Sequence, residues 1–116
     1  MTPQLRASDF AAWRDSTLAT TPDRLPVVLD VREPWELQTA SIRAQGFDTL
    51  AVPMRSIPEQ VAALDRKRPI ACLCHHGMRS QYAAQLLERH GFADVVNLQG
   101  GIDAWSCELD PTVPRY

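Results

Sequence analysis

The run Val27-Val28-Leu29-Asp30-Val31-Arg32 restricts the possible folds more than any other stretch of the chain. Its continuous β-branched start offers no polar face, so it suits a strand of a parallel sheet covered on both sides, and Glu33-Pro34 ends it. Pro34 fits the first turn of a short helix through Leu37. A second apolar run, Ile70 to Leu73, follows Pro69, and further extended pieces are expected at Gln4 to Ala7, Thr49 to Val52 and Val95 to Leu98. Helical patterns lie between them. The first runs from Asp9 to Asp15 behind the N-cap candidate Ser8, with Phe10 and Trp13 on one face; the next covers about Ser56 to Leu64, with Pro58 tolerable in its first turn. A long helix is expected from Ser80 to a C′ glycine at Gly91, and a short one after Gly100-Gly101 carries Ile102 and Trp105. Thr17 to Pro26 reads as a loop, and Thr39 to Asp48 is the least regular part. Strands alternating with helices predict an α/β fold, with an open, mainly parallel five-stranded sheet and helices on both faces.

At 116 residues the chain is expected to be one domain, residues 1–116, with core enough to fold without metals or disulfides. A formal charge of -2 with scattered charges gives no reason to expect nucleic acid or an anionic membrane as partner. The basic run Arg66-Lys67-Arg68 reads as a solvated loop. No stretch approaches the roughly 20 apolar residues a membrane span needs. Met1 to Phe10 also lacks the apolar centre of a secretion signal, so the expected address is the cytoplasm. Three cysteines, with Cys72 and Cys74 too close along one strand to bridge easily, fit a reducing compartment.

Residues 70–80 read Ile-Ala-Cys-Leu-Cys-His-His-Gly-Met-Arg-Ser, a strand that stops at Cys74 and a loop that opens into a helix. A helix start presents unpaired N–H groups and a positive dipole end, which favour the charged form of a nearby thiol. Cys74 is therefore the first candidate for chemistry. Ligands of parallel sheets sit beyond the carboxyl ends of the strands, where both Cys74 and Asp30-Val31-Arg32 fall, so one pocket can hold them. Cys72 reads as a buried apolar residue, and Trp13, Trp35, Trp105 and the Tyr82, Leu86, Leu87 face as packing.

Four motifs in order resemble the rhodanese, or sulfurtransferase, family: Leu29-Asp30-Val31-Arg32-Glu33-Pro34-Trp35-Glu36, Val52-Pro53-Met54, the Cys74-to-Ser80 loop, and Asn97-Leu98-Gln99-Gly100-Gly101-Ile102-Asp103-Ala104-Trp105. The resemblance implies an open α/β sheet with a single catalytic cysteine, supplied by Cys74, and a loop that cradles the sulfur with backbone N–H groups. It implies transfer of a sulfane sulfur through a Cys74 persulfide, with no cofactor and no metal. The donor is a small sulfur-containing anion such as thiosulfate, or a protein persulfide; the acceptor is a thiol or a cyanide-like group. The chain departs from the family in carrying Ser41-Ile42-Arg43-Ala44-Gln45-Gly46 where many members have a His-Ile-Pro-Gly-Ala-like stretch. It also places His75 and His76 where thiosulfate-preferring members often carry Lys or Arg.

On this reading the amides of His76, Gly77, Met78, Arg79 and Ser80 stabilise an anionic sulfur, with Gly77 free to take a conformation closed to other residues. Arg79 either donates to an anionic oxygen or packs at the helix start in an ion pair, with Asp30 as a possible partner. His75 and His76 line the entrance and touch substrate without acid–base work. Asp30 and Arg32 face the same side as supporting residues, read as an ion pair that fixes the first crossover.

Three rivals are weighed. A phosphatase or arsenate reductase uses a similar Cys…Arg loop but with five residues between, against the four from His75 to Met78 here. Zinc bound by Cys72, Cys74, His75 and His76 is disfavoured, because consecutive histidines and a same-strand cysteine pair do not readily surround one ion. A persulfide carrier or protein-interaction module would use Cys74 as well as an enzyme would. Physiological donor and acceptor, oligomeric state and the role of the Asp110-to-Tyr116 tail are not encoded in any pattern.

Overall fold

In the computed structural model, which describes residues 2–116, the extended pieces form one parallel sheet. Its strands are β1 (Gln4–Arg6), β2 (Val27–Asp30), β3 (Asp48–Ala51), β4 (Ile70–Leu73) and β5 (Val95–Gln99), in the order β1-β5-β4-β2-β3. Every pairing is parallel, with Leu29 level with Cys72 and Cys72 level with Asn97. The helices are α1 (Phe10–Thr20), α2 (Pro34–Thr39), α3 (Ile57–Gln60), α4 (Met78–Arg89) and α5 (Gly101–Glu108). None is long and apolar enough to cross a membrane.

The period-two alternation of the strands divides the core between two faces. Val27, Leu29, Val31, Cys72 and Cys74 pack with Ile57 of α3 and with Ala83, Ala84 and Leu87 of α4. Val28, Ala71, Leu73, Val96 and Leu98 pack on the other side with Phe10 of α1 and with Ile102 and Trp105 of α5. Both faces of β2 and β4 are buried, which accounts for their unbroken apolar runs.

Several boundaries differ from the sequence expectation. Helix α1 continues to Thr20 instead of yielding to a loop after Asp15, and within it the hydroxyls of Thr17 and Thr20, with that of Thr21 just beyond, are satisfied by carbonyls three or four residues back. Ser8 lies within a 3₁₀ turn, Ala7–Asp9, and caps nothing with its side chain. The segment after β3 is a 3₁₀ turn, the single turn of α3 and a second 3₁₀ turn, not one continuous helix. Helix α4 begins at Met78, two residues before the expected Ser80. Its buried stripe is Ser80, Ala83, Ala84 and Leu87, so Tyr82 points outward at 64% exposure, and Trp35 is likewise exposed at 61%.

Helix α5 docks end-on beneath the loop that follows β4. The amide of Ile102 donates to the Cys74 carbonyl at 2.9 Å and that of Asp103 to the His75 carbonyl at 3.2 Å. Gly101 permits this approach: its φ is +60°, and a Cβ there would lie 2.4 Å from both carbonyl oxygens. Gly101→Ala is therefore expected to cost more than about 2 kcal/mol through backbone strain and overpacking, read as a lower denaturant midpoint. An unchanged midpoint would show that α5 can dock without that close approach.

Candidate active site

Cys74 stands one residue beyond β4, and the chain reverses there through Gly77 at φ +108°. The reversal aims the Gly77 N–H at the Cys74 sulfur, 3.0 Å away. The Ser80 hydroxyl lies 3.3 Å from the same sulfur and 2.5 Å from Asn97 Oδ1. Both groups are able to donate to the sulfur. Of the five amides expected around the sulfur, that of Gly77 makes the hydrogen bond, and Ser80 contributes its side chain instead. The amides of Met78, Arg79 and Ser80 form the first turn of α4, which has no intrahelical acceptor for them.

Loop carbonyls point away from the sulfur. Those of Cys74 and His75 accept from α5, and that of Gly77 accepts from Asn97 Nδ2 at 3.0 Å. Asn97 also donates to Gln4 Oε1, so β5 ties the loop to the edge strand β1. Cys74 itself is only 1% exposed. A groove of about 530 Å³ runs along the outside of the loop, lined by His76, Gly77, Met78, Gln81, Tyr82 and Asn97 among others, but the sulfur does not line it.

Two ion pairs flank the loop. Asp30 receives Arg32 in fork geometry, with Nε–Oδ1 at 2.8 Å and Nη2–Oδ2 at 2.7 Å, and the Arg32 side chain is fully buried. Burial opposes the Arg32 charge, but the hydrogen bonds it donates to Asp30 and Tyr116 outweigh that and raise the pKa. Arg79 does not pair with Asp30. It grips Glu36 instead, with Nη1–Oε1 at 2.7 Å and Nη2–Oε2 at 2.9 Å. That guanidinium holds the Glu36 carboxyl down at about 2 against the opposing effect of burial, with help from the Tyr116 hydroxyl and the Glu33 amide. Glu36 in turn keeps Arg79 charged.

The entrance is aromatic. His75 stacks on His76 at 3.9 Å and on Tyr116 at 3.9 Å, and the second pair is nearly parallel at 7°. His75 Nε2 is buried without a hydrogen-bond partner. Among the described residues, His75, His76 and Asp103 bring ligating atoms within 4.8 Å of one another, a different set from the cysteine-containing one weighed from sequence. Asp103 is already engaged by Arg115 Nε at 2.9 Å. Cys72 lies in the core, where burial pushes its thiol up, while Cys107 is exposed.

Sequence reasoning did not single out Glu36, Asn97 or Tyr116 as site residues. Glu36 had a local signal, an acid three residues beyond Glu33 whose Oε1 accepts the Glu33 amide at 3.0 Å in a capping arrangement. Tyr116 had none, since its partner Glu36 is 80 residues away.

Comparison with known proteins places this geometry. A family model described as Rhodanese-like domain matches residues 11–108. A sulfurtransferase of Allochromatium vinosum is 37% identical over 91 residues, covering 77% of this chain and 78% of that protein. A chloroplastic rhodanese-like/PpiC domain-containing protein of Arabidopsis thaliana is 37% identical over 93 residues, covering 77% of this chain, which spans only 30% of that protein's length. The crystal structure of a rhodanese-related protein from Thermoplasma volcanium superposes with a TM-score of 0.72 at 31% identity, covering 98% of this chain and 99% of that one. By its sheet order, its loop and these relatives, the chain belongs to the rhodanese-like domain family.

Proposed function

We propose that this chain is a sulfurtransferase that carries a sulfane sulfur on Cys74. The observation that carries the reading is the Gly77 amide, turned by a left-handed backbone onto the Cys74 sulfur at 3.0 Å. It supports an anionic sulfur both as thiolate and as persulfide. With thiosulfate as donor, the thiolate attacks the outer sulfur. A bond from Sγ to that sulfur forms as the S–S bond of thiosulfate breaks, and its electron pair leaves with sulfite. A cyanide or thiolate acceptor then attacks the outer sulfur of the persulfide, and the pair of the breaking bond returns to Cys74. Covalent catalysis thus divides one transfer into two displacements.

The phosphatase rival is disfavoured by Arg79, which a Cys…Arg phosphate loop would turn toward an oxyanion but which here faces Glu36 in a two-bond fork. His75, His76 and Met78 contribute the rim of the loop, and Asp30 with Arg32 braces the wall that leads to Glu36. A neutralised Arg79–Glu36 pair leaves the donor to be recognised by amides and imidazoles, a setting that admits thiosulfate and persulfides alike.

Mixing the protein with thiosulfate and cyanide is expected to yield thiocyanate, and intact mass spectrometry to show one added sulfur that a reductant removes. Cys74→Ser should reduce both to background; turnover that survives this change would remove the cysteine from the mechanism. Loading by a protein persulfide but not by thiosulfate would identify a carrier instead of a thiosulfate enzyme.

The Glu36 carboxyl sits at about 2 in the folded protein against an ordinary 4.5, so its contribution to stability is complete above pH 4.5 and vanishes as pH falls through about 2. Glu36→Gln should therefore be less stable at neutral pH and should flatten the acid limb of the urea-midpoint profile. Parallel profiles for the two proteins would show that the pair contributes nothing.

A further inference from the structure

The sulfur of Cys74 must be reached from outside, yet the residue is 1% exposed. Residues 110–116 pack against α5 and bring the Tyr116 ring onto His75, next to Cys74 in the chain. Val113 anchors this segment: it is 4% exposed in the core beneath α1 and α5, and its carbonyl accepts the Ser106 hydroxyl at 2.6 Å. Arg115 adds a fork to Asp103 on α5, at 2.9 Å and 3.3 Å. Pro111 and Pro114 stiffen the backbone on either side of Val113.

Tyr116 is thereby delivered to the loop and held there by two kinds of contact. Its hydroxyl donates to Glu36 Oε2 at 2.6 Å and accepts from Arg32 Nη1 at 3.1 Å, so the phenol joins the two ion pairs. Its ring lies flat on His75, the residue that directly follows Cys74, and meets Trp35 in a T-shaped pair with centroids 6.1 Å apart. Trp35, Tyr116, His75 and His76 form an unbroken row of rings along the rim. The Glu36 that Tyr116 touches is the one that clamps Arg79 in the same loop.

We propose that Tyr116 is a positioning residue of the Cys74 site: stacked on His75 and tied to Glu36, it holds the mouth of the loop narrow and so selects sulfur donors by size. Small donors of the thiosulfate class reach the sulfur past the closed row. Bulky organic persulfides reach it only when the ring swings off His75. The inference rests on Cys74 being the residue that donors must reach, as set out above.

Alkylation tests it without requiring any sulfur transfer, so failure of the thiocyanate assay and failure of this inference are distinguishable. In a Cys107→Ser background, which removes the exposed thiol, the rate of Cys74 modification is measured by peptide mass mapping with iodoacetamide and with a fluorescein maleimide. A mouth open about a tenth of the time predicts that Tyr116→Ala raises the ratio of the maleimide rate to the iodoacetamide rate about tenfold. Tyr116→Phe keeps the stacked ring and should hold the ratio within about twofold of the parent. With glutathione persulfide and thiosulfate as donors, Tyr116→Ala should lower KM for the persulfide relative to thiosulfate while the two kcat values change together. An unchanged ratio, an equal rise with both reagents, or a Phe variant that behaves like Ala would overturn the proposal.

Discussion

Two hydrogen bonds, from the Ile102 and Asp103 amides to the Cys74 and His75 carbonyls, decide which way the Cys74 loop faces. A backbone whose carbonyls are drawn outward by a helix must turn amides toward its concave side, and that is where the sulfur sits. The same bonds satisfy two of the orphan donors of α5, so helix end and loop complete each other. Gly101 makes the contact sterically possible and Gly77 makes the turn conformationally possible. Neither position has a substitute, because each combines a left-handed backbone with a neighbour at close quarters.

Around that backbone frame the charges are arranged to cancel locally. Arg32 is taken by Asp30 and Arg79 by Glu36, each in a fork that fixes direction as well as distance. Arg32, Asp30 and Glu36 are buried, where an unpaired charge is costly, so each depends on its partner being in place. Tyr116 shares its hydroxyl between the two pairs and so links both to the far end of the described chain.

The sheet was legible because its central strands announce themselves: Val27 to Val31 and Ile70 to Leu73 are apolar on both faces, and only a covered parallel sheet uses such runs. The placement of Cys74, just past the end of a strand and ahead of a helix, was legible for the same local reason. What escaped was whatever depends on distant partners. Thr17, Thr20 and Thr21 look like loop residues until their hydroxyls are seen to fold back on α1. Tyr82 looks like core until α4 is found to start earlier and to present Ser80, Ala83 and Ala84 inward. Arg79 is matched from sequence with Asp30, the nearest carboxylate by strand position, and only the packing of α2 against the loop brings it Glu36 instead. Tyr116 carries no local pattern at all, since its role is conferred by residues from three other parts of the chain.

Ser80 has one hydroxyl hydrogen and two neighbours that can accept it, Asn97 Oδ1 at 2.5 Å and the sulfur at 3.3 Å. While the sulfur keeps its own proton, Asn97 is the better acceptor; once the sulfur is anionic, rotation about a single side-chain bond delivers the hydrogen to it. The cavity around the sulfur can thus adjust its polarity to the oxidation and charge of its occupant by spinning one rotor.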